Sequence, residues 1–221
     1  MKTSKEFIHQ WLWIVLIAFC IVGVFYPAVG VIALICMLAP SVTAIWKGRF
    51  WCGSFCPRGS FNDSVLRRLS LKRPLPKLLK SKWFRHLFLV LLMSAFAVQL
   101  ALAWGSLESV GFVFVRMIII TTLITIILGV LYSQRTWCVI CPMGTMASWV
   151  TRAAAKGPTA KTNKKITFEK EKCVSCKLCS KACPVGIDVL SYKAVGEVQA
   201  PDCLKCNECV YKCPKSCLAK V

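Results

Sequence analysis

Cys173-Val174-Ser175-Cys176-Lys177-Leu178-Cys179-Ser180-Lys181-Ala182-Cys183-Pro184, followed by Cys203-Leu204-Lys205-Cys206-Asn207-Glu208-Cys209-Val210-Tyr211-Lys212-Cys213-Pro214, is the run C-x2-C-x2-C-x3-C-P written twice. Four thiolates hold an iron-sulfur cluster, and in the two-cluster pattern the fourth Cys of each run serves the other run's cluster. The spacing therefore assigns Cys173, Cys176, Cys179 and Cys213 to a first 4Fe-4S cluster and Cys203, Cys206, Cys209 and Cys183 to a second. Zinc is the competing reading of paired C-x-x-C motifs, but a zinc site closes with four ligands and needs neither the third evenly spaced Cys nor the Cys-Pro.

Working outward, the chain of 221 residues is 57% hydrophobic, with mean hydropathy +0.61. Its apolar residues fall into runs long enough to cross a bilayer. Fifteen cysteines could build a disulfide scaffold, yet eight of them follow a cluster-binding pattern that requires reduced thiolates. The net charge of +20 sits mostly beside apolar spans, where Lys and Arg meet anionic lipid, so nucleic acid is not expected as a partner.

Four segments are expected to span: about Phe7 to Tyr26, Ala28 to Trp46, His86 to Trp104 and Phe112 to Tyr132. Helices of about 20 residues cover a hydrocarbon core of about 30 Å. The first run is too long for a signal-peptide core and has no clear cleavage site, so it is expected to remain as an anchor. Pro40 is expected to kink the second span. The connection between the second and third spans carries Lys47, Arg49, Arg58, Arg67, Arg68, Lys72, Arg73, Lys77, Lys80, Lys82 and Arg85, whereas the other two carry only Glu108. The positive-inside rule then puts both termini, the long loop and the clusters in the cytoplasm.

The spans contain a repeat. Arg49-Phe50-Trp51-Cys52, a gap and Cys56-Pro57-Arg58-Gly59-Ser60 follow the second span; Arg135-Thr136-Trp137-Cys138, a gap and Cys141-Pro142-Met143-Gly144-Thr145 follow the fourth. With two spans per half the repeats are parallel, and an axis along the membrane normal would gather Cys52, Cys56, Cys138 and Cys141 on one face. Three readings of these thiols stay open: a third metal or iron-sulfur centre, a pair of redox dithiols whose thiol pKa nearby Arg lowers, or cysteines that only pack helix ends.

Between the halves, Phe61 to Leu71 reads as a basic amphipathic helix at the interface, with Val65, Leu66 and Leu69 toward lipid, Arg67 and Arg68 toward headgroups, and Pro74 and Pro76 beyond its end. Ala153 to Lys165 reads as a linker. The two histidines, His9 and His86, are expected to be solvated at the interface; haem ligation by them is disfavoured, and Trp83 reads as a belt residue rather than a quinone contact. Arg116 is expected to snorkel with Glu108 as partner, and Cys20, Cys36 and Cys217 to be small buried hydrophobes.

The four spans, the two Cys-Pro motifs after the second and fourth of them, and the C-terminal double run together resemble the NapH/MauN-type membrane ferredoxins, which are related to the membrane part of NosR-type proteins. The resemblance covers nearly the whole chain from about Phe7. It implies an electron-transfer subunit coupled to the quinone pool or to partner redox proteins, without a separate substrate pocket. The family's motif is Cys-x3-Cys-Pro in both halves; Cys52 to Pro57 matches it and Cys138 to Pro142 is one residue short.

The expected architecture is thus an α-helical membrane protein of four transmembrane helices in two parallel repeats (1–152), a linker (153–165) and a small α+β bacterial-type dicluster ferredoxin domain (166–221). The expected function is electron transfer between a cytoplasmic or membrane redox partner and the quinone pool or a partner oxidoreductase subunit, in a bacterial or archaeal cytoplasmic membrane. Two 4Fe-4S clusters are the expected cofactors, with a third centre and a quinone as open additions. The alternative is an assembly factor whose Cys-Pro thiols reduce a metal ion or a disulfide for another enzyme.

Overall fold

The computed structural model describes residues 4–155 and 166–220. Four helices are long and apolar enough to cross a membrane. These are α1 (Ser4–Phe25), α2 (Ala33–Lys47) with the 3-10 turn Pro27–Ile32 before it, α7 (Lys82–Leu102) and α8 (Leu107–Leu131). Short elements lie between them: α3 (Phe50–Ser54), α4 (Pro57–Phe61), a π-turn (Asn62–Leu66) running into α5 (Arg67–Leu69), and α6 (Lys77–Lys80). After α8 come α9 (Thr136–Ile140) and α10 (Pro142–Ala154). The linker expected at Ala153 to Lys165 lies mostly outside the described residues.

Sequence explains the local boundaries. The Ser106 hydroxyl accepts the Ser109 amide at 3.1 Å and caps α8, with Glu108 in the first turn favoured by the helix dipole. Pro57 and Pro142 each open a helix, where a missing N–H costs nothing. Helix α2 runs on through Pro40 without a break.

Large apolar side chains such as Phe7, Ile35, Leu87, Val90, Leu123 and Ile127 remain exposed around the long helices. So large an apolar surface would make an ordinary soluble protein aggregate and is of the kind that lipid covers. Inside, Phe96 and Phe114 meet edge-on at 5.1 Å in a core with Ala33 and Val113. The 3-10 turn lies against α8 through glycines: a Cβ on Gly30 would stand 2.1 Å from the Gly111 carbonyl oxygen, and one on Gly111 would stand 1.9 Å from that of Pro27. Helices in lipid gain from such close backbone approach. Gly111→Ala is therefore expected to destabilise by about 1–3 kcal/mol through overpacking, although alanine is the better helix former by about 1 kcal/mol; a thermal melt in detergent that does not fall would contradict this.

Several expectations change. Leu66 does not face lipid: it is 1% exposed, packed on Gly129 and beside Leu16 and Phe61, with Val65 against the same core. The π-turn inserts one residue and rotates the face that an ideal helix would present. Leu69 is exposed, and Arg67 pairs with Glu208 at 2.7 Å. Arg116 is held by Gln99, one helix away, instead of Glu108. Cys36 is exposed on α2 and Cys20 only half-buried. His9 is not solvated: its ring meets the Ser54 carbonyl at 3.0 Å and the Asp63 carboxylate at 3.1 Å. His86 stays exposed as expected, with its ring 5.4 Å from that of Trp149.

The remaining residues form a small unit in which β1 (Ile166–Phe168) pairs antiparallel with β2 (Leu218–Lys220), Thr167 opposite Ala219. Two short helices, α11 (Leu178–Ala182) and α12 (Glu208–Tyr211), follow the two cysteine loops. The core holds Ile166, Phe168, Val189, Val198 and Leu218, with cysteines of both runs packed on it.

Candidate metal centres

The two loops wind alike. Ser175 and Lys177 in the first, and Lys205 and Asn207 in the second, take left-handed backbone with φ 56°, 61°, 55° and 65°. That conformation costs a non-glycine residue about 1–2 kcal/mol, and such strain collects where a loop must wrap a ligand. The spacing C-x2-C-x2-C provides two intervening residues each time, and the second of each pair or its neighbour makes the turn.

Wrapped this way, the loops enclose two hollows. One is lined by Cys173, Cys176, Cys179, Cys213 and Cys217 among others. The other is lined by Cys183, Cys203, Cys206 and Cys209 among others. Each gathers the set that the spacing puts together, including the exchanged fourth cysteine. Burial pushes the Cys209 thiol up to about 12, helped by Cys203 and Cys183, and burial likewise raises Cys203 and Cys206. Thiolates at these positions need a cationic partner, which bound iron supplies. Hollows whose metal-binding side chains are all cysteines suit an iron-sulfur cluster, which is held by thiolates; among the described residues no group of three His, Cys, Asp or Glu is placed to hold a single metal ion.

The four Cys-Pro thiols lie near enough to act on one another electrostatically, although among the described residues no three of them are placed to hold one metal ion. Cys52, Cys138 and Cys141 all act electrostatically on Cys56, whose thiol burial pushes up to about 12. Cys56 and Cys141 cap α4 and α10, so both proline-led helices start at the thiols. Around them two arginines cross over. Arg49 of the first motif donates to the Cys138 carbonyl of the second at 2.8 Å, and Arg135 of the second donates to the Cys52 carbonyl of the first at 2.9 Å. Both are at most 1% exposed. Glycine makes the room: a Cβ on Gly144 would stand 2.3 Å from the Arg49 guanidinium, and one on Gly59 would stand 2.7 Å from that of Arg135. The Gly after each Cys-Pro is thus a steric requirement of the other motif's arginine.

Each arginine has a carboxylate. Arg135 donates to Asp63 Oδ1 at 2.8 Å and to Oδ2, while Arg49 meets Asp202 at 3.2 Å. Burial would raise Asp63, but the Arg135 guanidinium and His9 reverse it and hold the carboxyl well below the ordinary range. Arg135 Nη1 and Asn62 Nδ2 also approach Cys138 Sγ, at 3.7 and 3.9 Å, and Arg49 Nε and Asn62 Oδ1 are buried without a hydrogen-bond partner. Four soft donors, buried cations and unsatisfied polar atoms together fit a thiolate-bound metal centre.

The second hollow sits against this site. Cys52, Val185 and Leu204 form one buried group on which Cys138, Cys183 and Cys206 pack. A Cβ on Gly53 would stand 2.1 Å from the Leu204 carbonyl oxygen. Arginines fasten the contact: Arg49 and Arg85 to Asp202, at 3.2 and 2.8 Å, and Arg67 to Glu208. Asp202 and Glu208 bracket the loop Cys203 to Cys209. Sequence reasoning singled out the cysteines but not Asp63, Asp202 or His9; the signal available was that Asp63 is an acid set in a basic loop and Asp202 adjoins a ligand-type cysteine.

Comparison with known proteins gives the following. A family model described as "4Fe-4S binding domain" matches residues 29–76 and 115–166, once around each Cys-Pro motif. A second, described as "4Fe-4S dicluster domain", matches residues 165–214. An uncharacterized protein of Methanocaldococcus jannaschii is 25% identical over 187 residues, 80% of this chain and 66% of that protein. NAD(P)H-quinone oxidoreductase subunit I of Gloeobacter violaceus is 32% identical over 72 residues, 28% of this chain and 34% of that subunit. The match thus spans just under two thirds of the first relative's length and about one third of the second's. No solved structure matches significantly. The chain is an iron-sulfur protein of the ferredoxin type, carrying 4Fe-4S binding segments in both its helical and its C-terminal part.

Proposed function

We propose that the chain is a membrane-anchored electron-transfer protein in which three redox centres form one route: the first cysteine hollow, the second, and the four Cys-Pro thiols. The observation that carries this is the shared packing of Cys52 and Cys138 with Cys183 and Cys206, which puts the second hollow in direct contact with two of the four thiols. The first and second 4Fe-4S clusters would be held by the two exchanged sets of four cysteines, and a third by Cys52, Cys56, Cys138 and Cys141. A cluster, when bound, supplies one-electron chemistry; the chain's own residues fix its place and surroundings. Arg49 and Arg135 offset negative charge at the four-thiol site, and Asp63 and Asp202 orient them.

The crossed arginine contacts and the twice-matching family model support two parallel repeats about an axis along the membrane normal. The Lys and Arg excess of the long loop supports a cytoplasmic position for both motifs and both hollows, in a bacterial or archaeal cytoplasmic membrane. Likeness to a quinone oxidoreductase subunit supports the quinone pool or an oxidoreductase partner as the other end of the route. The assembly-factor alternative needs thiols that a client can reach, and the burial of Cys52 weighs against it.

Anaerobic iron and acid-labile sulfide per chain, with EPR of the reduced protein, test the proposal. About twelve iron atoms are expected, falling to about eight in Cys52→Ser/Cys138→Ser, with loss of electron flow to a quinone analogue. Twelve iron atoms in that double variant, or unchanged flow together with loss of metal from a partner enzyme, would overturn it.

A further inference from the structure

The first hollow has one thiol too many. A 4Fe-4S cluster takes four thiolates, yet five cysteines line this hollow, the fifth being Cys217. Its place is set by the repeat. Cys183-Pro184-Val185-Gly186-Ile187 and Cys213-Pro214-Lys215-Ser216-Cys217 follow the same course, with left-handed backbone at Gly186 and at Ser216, φ 71° and 47°. Ile187 accordingly lines the second hollow where Cys217 lines the first. One run closes its cavity with an inert side chain and the other with a metal-binding one.

Contact distances make the difference chemical. Cys217 Sγ lies 3.2 Å from Cys213 Sγ, and both line the hollow together with Cys173. It is 5% exposed, so its contacts are with sulfur and core rather than solvent. A buried residue there that served packing alone would be as well served by isoleucine, as the other run demonstrates.

We infer that Cys217 is a stand-by ligand of the first cluster site, able to replace Cys213. With a cluster bound, Cys217 would take the ligand place of Cys213 as a thiolate, giving its proton to the departing Cys213 sulfur where that sulfur is free and to solvent where it is oxidised or absent, with no electron transferred. The consequence is a site that keeps its metal when Cys213 is oxidised or displaced, whereas the second hollow has no such reserve. The inference rests on the first hollow holding a cluster, as proposed above.

Full-length protein, purified anaerobically, decides it by iron and sulfide content and by EPR of the reduced form. Cys217→Ile, copying Ile187, is expected to keep the wild-type iron. Cys213→Ala is expected to keep it too, with an altered EPR signal from the new ligand. Cys213→Ala/Cys217→Ile is expected to lose about four iron atoms, as is Cys183→Ala, whose slot holds Ile187. Loss of about four iron atoms from Cys213→Ala alone, or its failure to fold where Cys183→Ala folds, would overturn the inference while leaving the cluster assignment standing. Fewer than about eight iron atoms in the wild type would remove both.

Discussion

Arg135→Leu is expected to lower stability by about 3–5 kcal/mol, because it removes a buried cation and leaves the part-buried Asp63 carboxylate without its partner and the Cys52 carbonyl without its donor. Arg135 is fully buried and donates to both oxygens of Asp63 and to the Cys52 carbonyl. Leucine fills much of the volume but satisfies none of these acceptors, and only His9, at 3.1 Å, remains on Asp63. For a chain of this size each kcal/mol moves the midpoint by about 2–4 °C, so a fall of about 6–20 °C in detergent is expected. Arg135→Leu/Asp63→Leu should recover part of it, since removing both charges costs less than removing one. A single variant that melts like the wild type, or a double variant that melts below the single, would show that the pair does not have this role.

Acid tests the same contact. The Asp63 carboxyl is held below its ordinary range by Arg135 and His9 against the opposing effect of burial. A depressed folded-state pKa contributes stability that is whole above the unfolded carboxylate pKa of about 4 and is lost as pH falls toward the folded value. The stability that the contact adds to the wild type should therefore be whole from neutral pH down to about 5 and fade only below about 4, whereas in Arg135→Leu, where burial raises Asp63, this acid dependence should be lost.

Much of this was legible in the chain because the chemistry depends on local spacing. C-x2-C-x2-C allows one way of wrapping a thiolate-lined cavity, and the exchanged fourth cysteine follows from the Cys-Pro that closes each run. Span positions follow from hydropathy, and only their ends moved, with α8 starting at Leu107 rather than about Phe112. What stayed illegible was which distant group meets which. Arg49 and Arg135 stood in the repeated motif, but that each serves the other motif's cysteine is a tertiary fact that no spacing encodes. Leu66 was misplaced because a π-turn breaks the period on which the face was counted. Cys217 is buried in the core as expected, but that the repeat sets it opposite Ile187 went unread because it falls outside the C-x2-C grid. His9 was read as solvated because a lone histidine near a span end carries no sign of the Asp63 waiting 54 residues later.

Gly53→Ala should separate the two parts of the electron route without emptying either cysteine hollow. On helix propensity alone the substitution would stabilise α3 by about 1 kcal/mol. Tertiary contact reverses the sign, since the new methyl would lie 2.1 Å from the Leu204 carbonyl oxygen and 3.1 Å from its carbon. Those are backbone atoms of the loop Cys203 to Cys209, already anchored by Asp202 and Glu208 to Arg49, Arg85 and Arg67, so the loop cannot yield by turning a side chain. Overpacking of this kind costs about 1–3 kcal/mol, which would weaken docking roughly 5- to 150-fold. All nine cysteines that line the two hollows belong to the C-terminal unit and keep their own core of Ile166, Phe168, Val189 and Leu218. The variant should thus retain the iron and sulfide of the wild type. Reduction of a quinone analogue in lipid nanodiscs should fall with the docking equilibrium, and EPR should show weaker magnetic coupling between the second centre and the four-thiol centre. Undiminished quinone reduction at wild-type iron content would mean that electrons do not pass from the Cys203 to Cys209 loop into the Cys-Pro site, and the route would have to leave the C-terminal unit elsewhere.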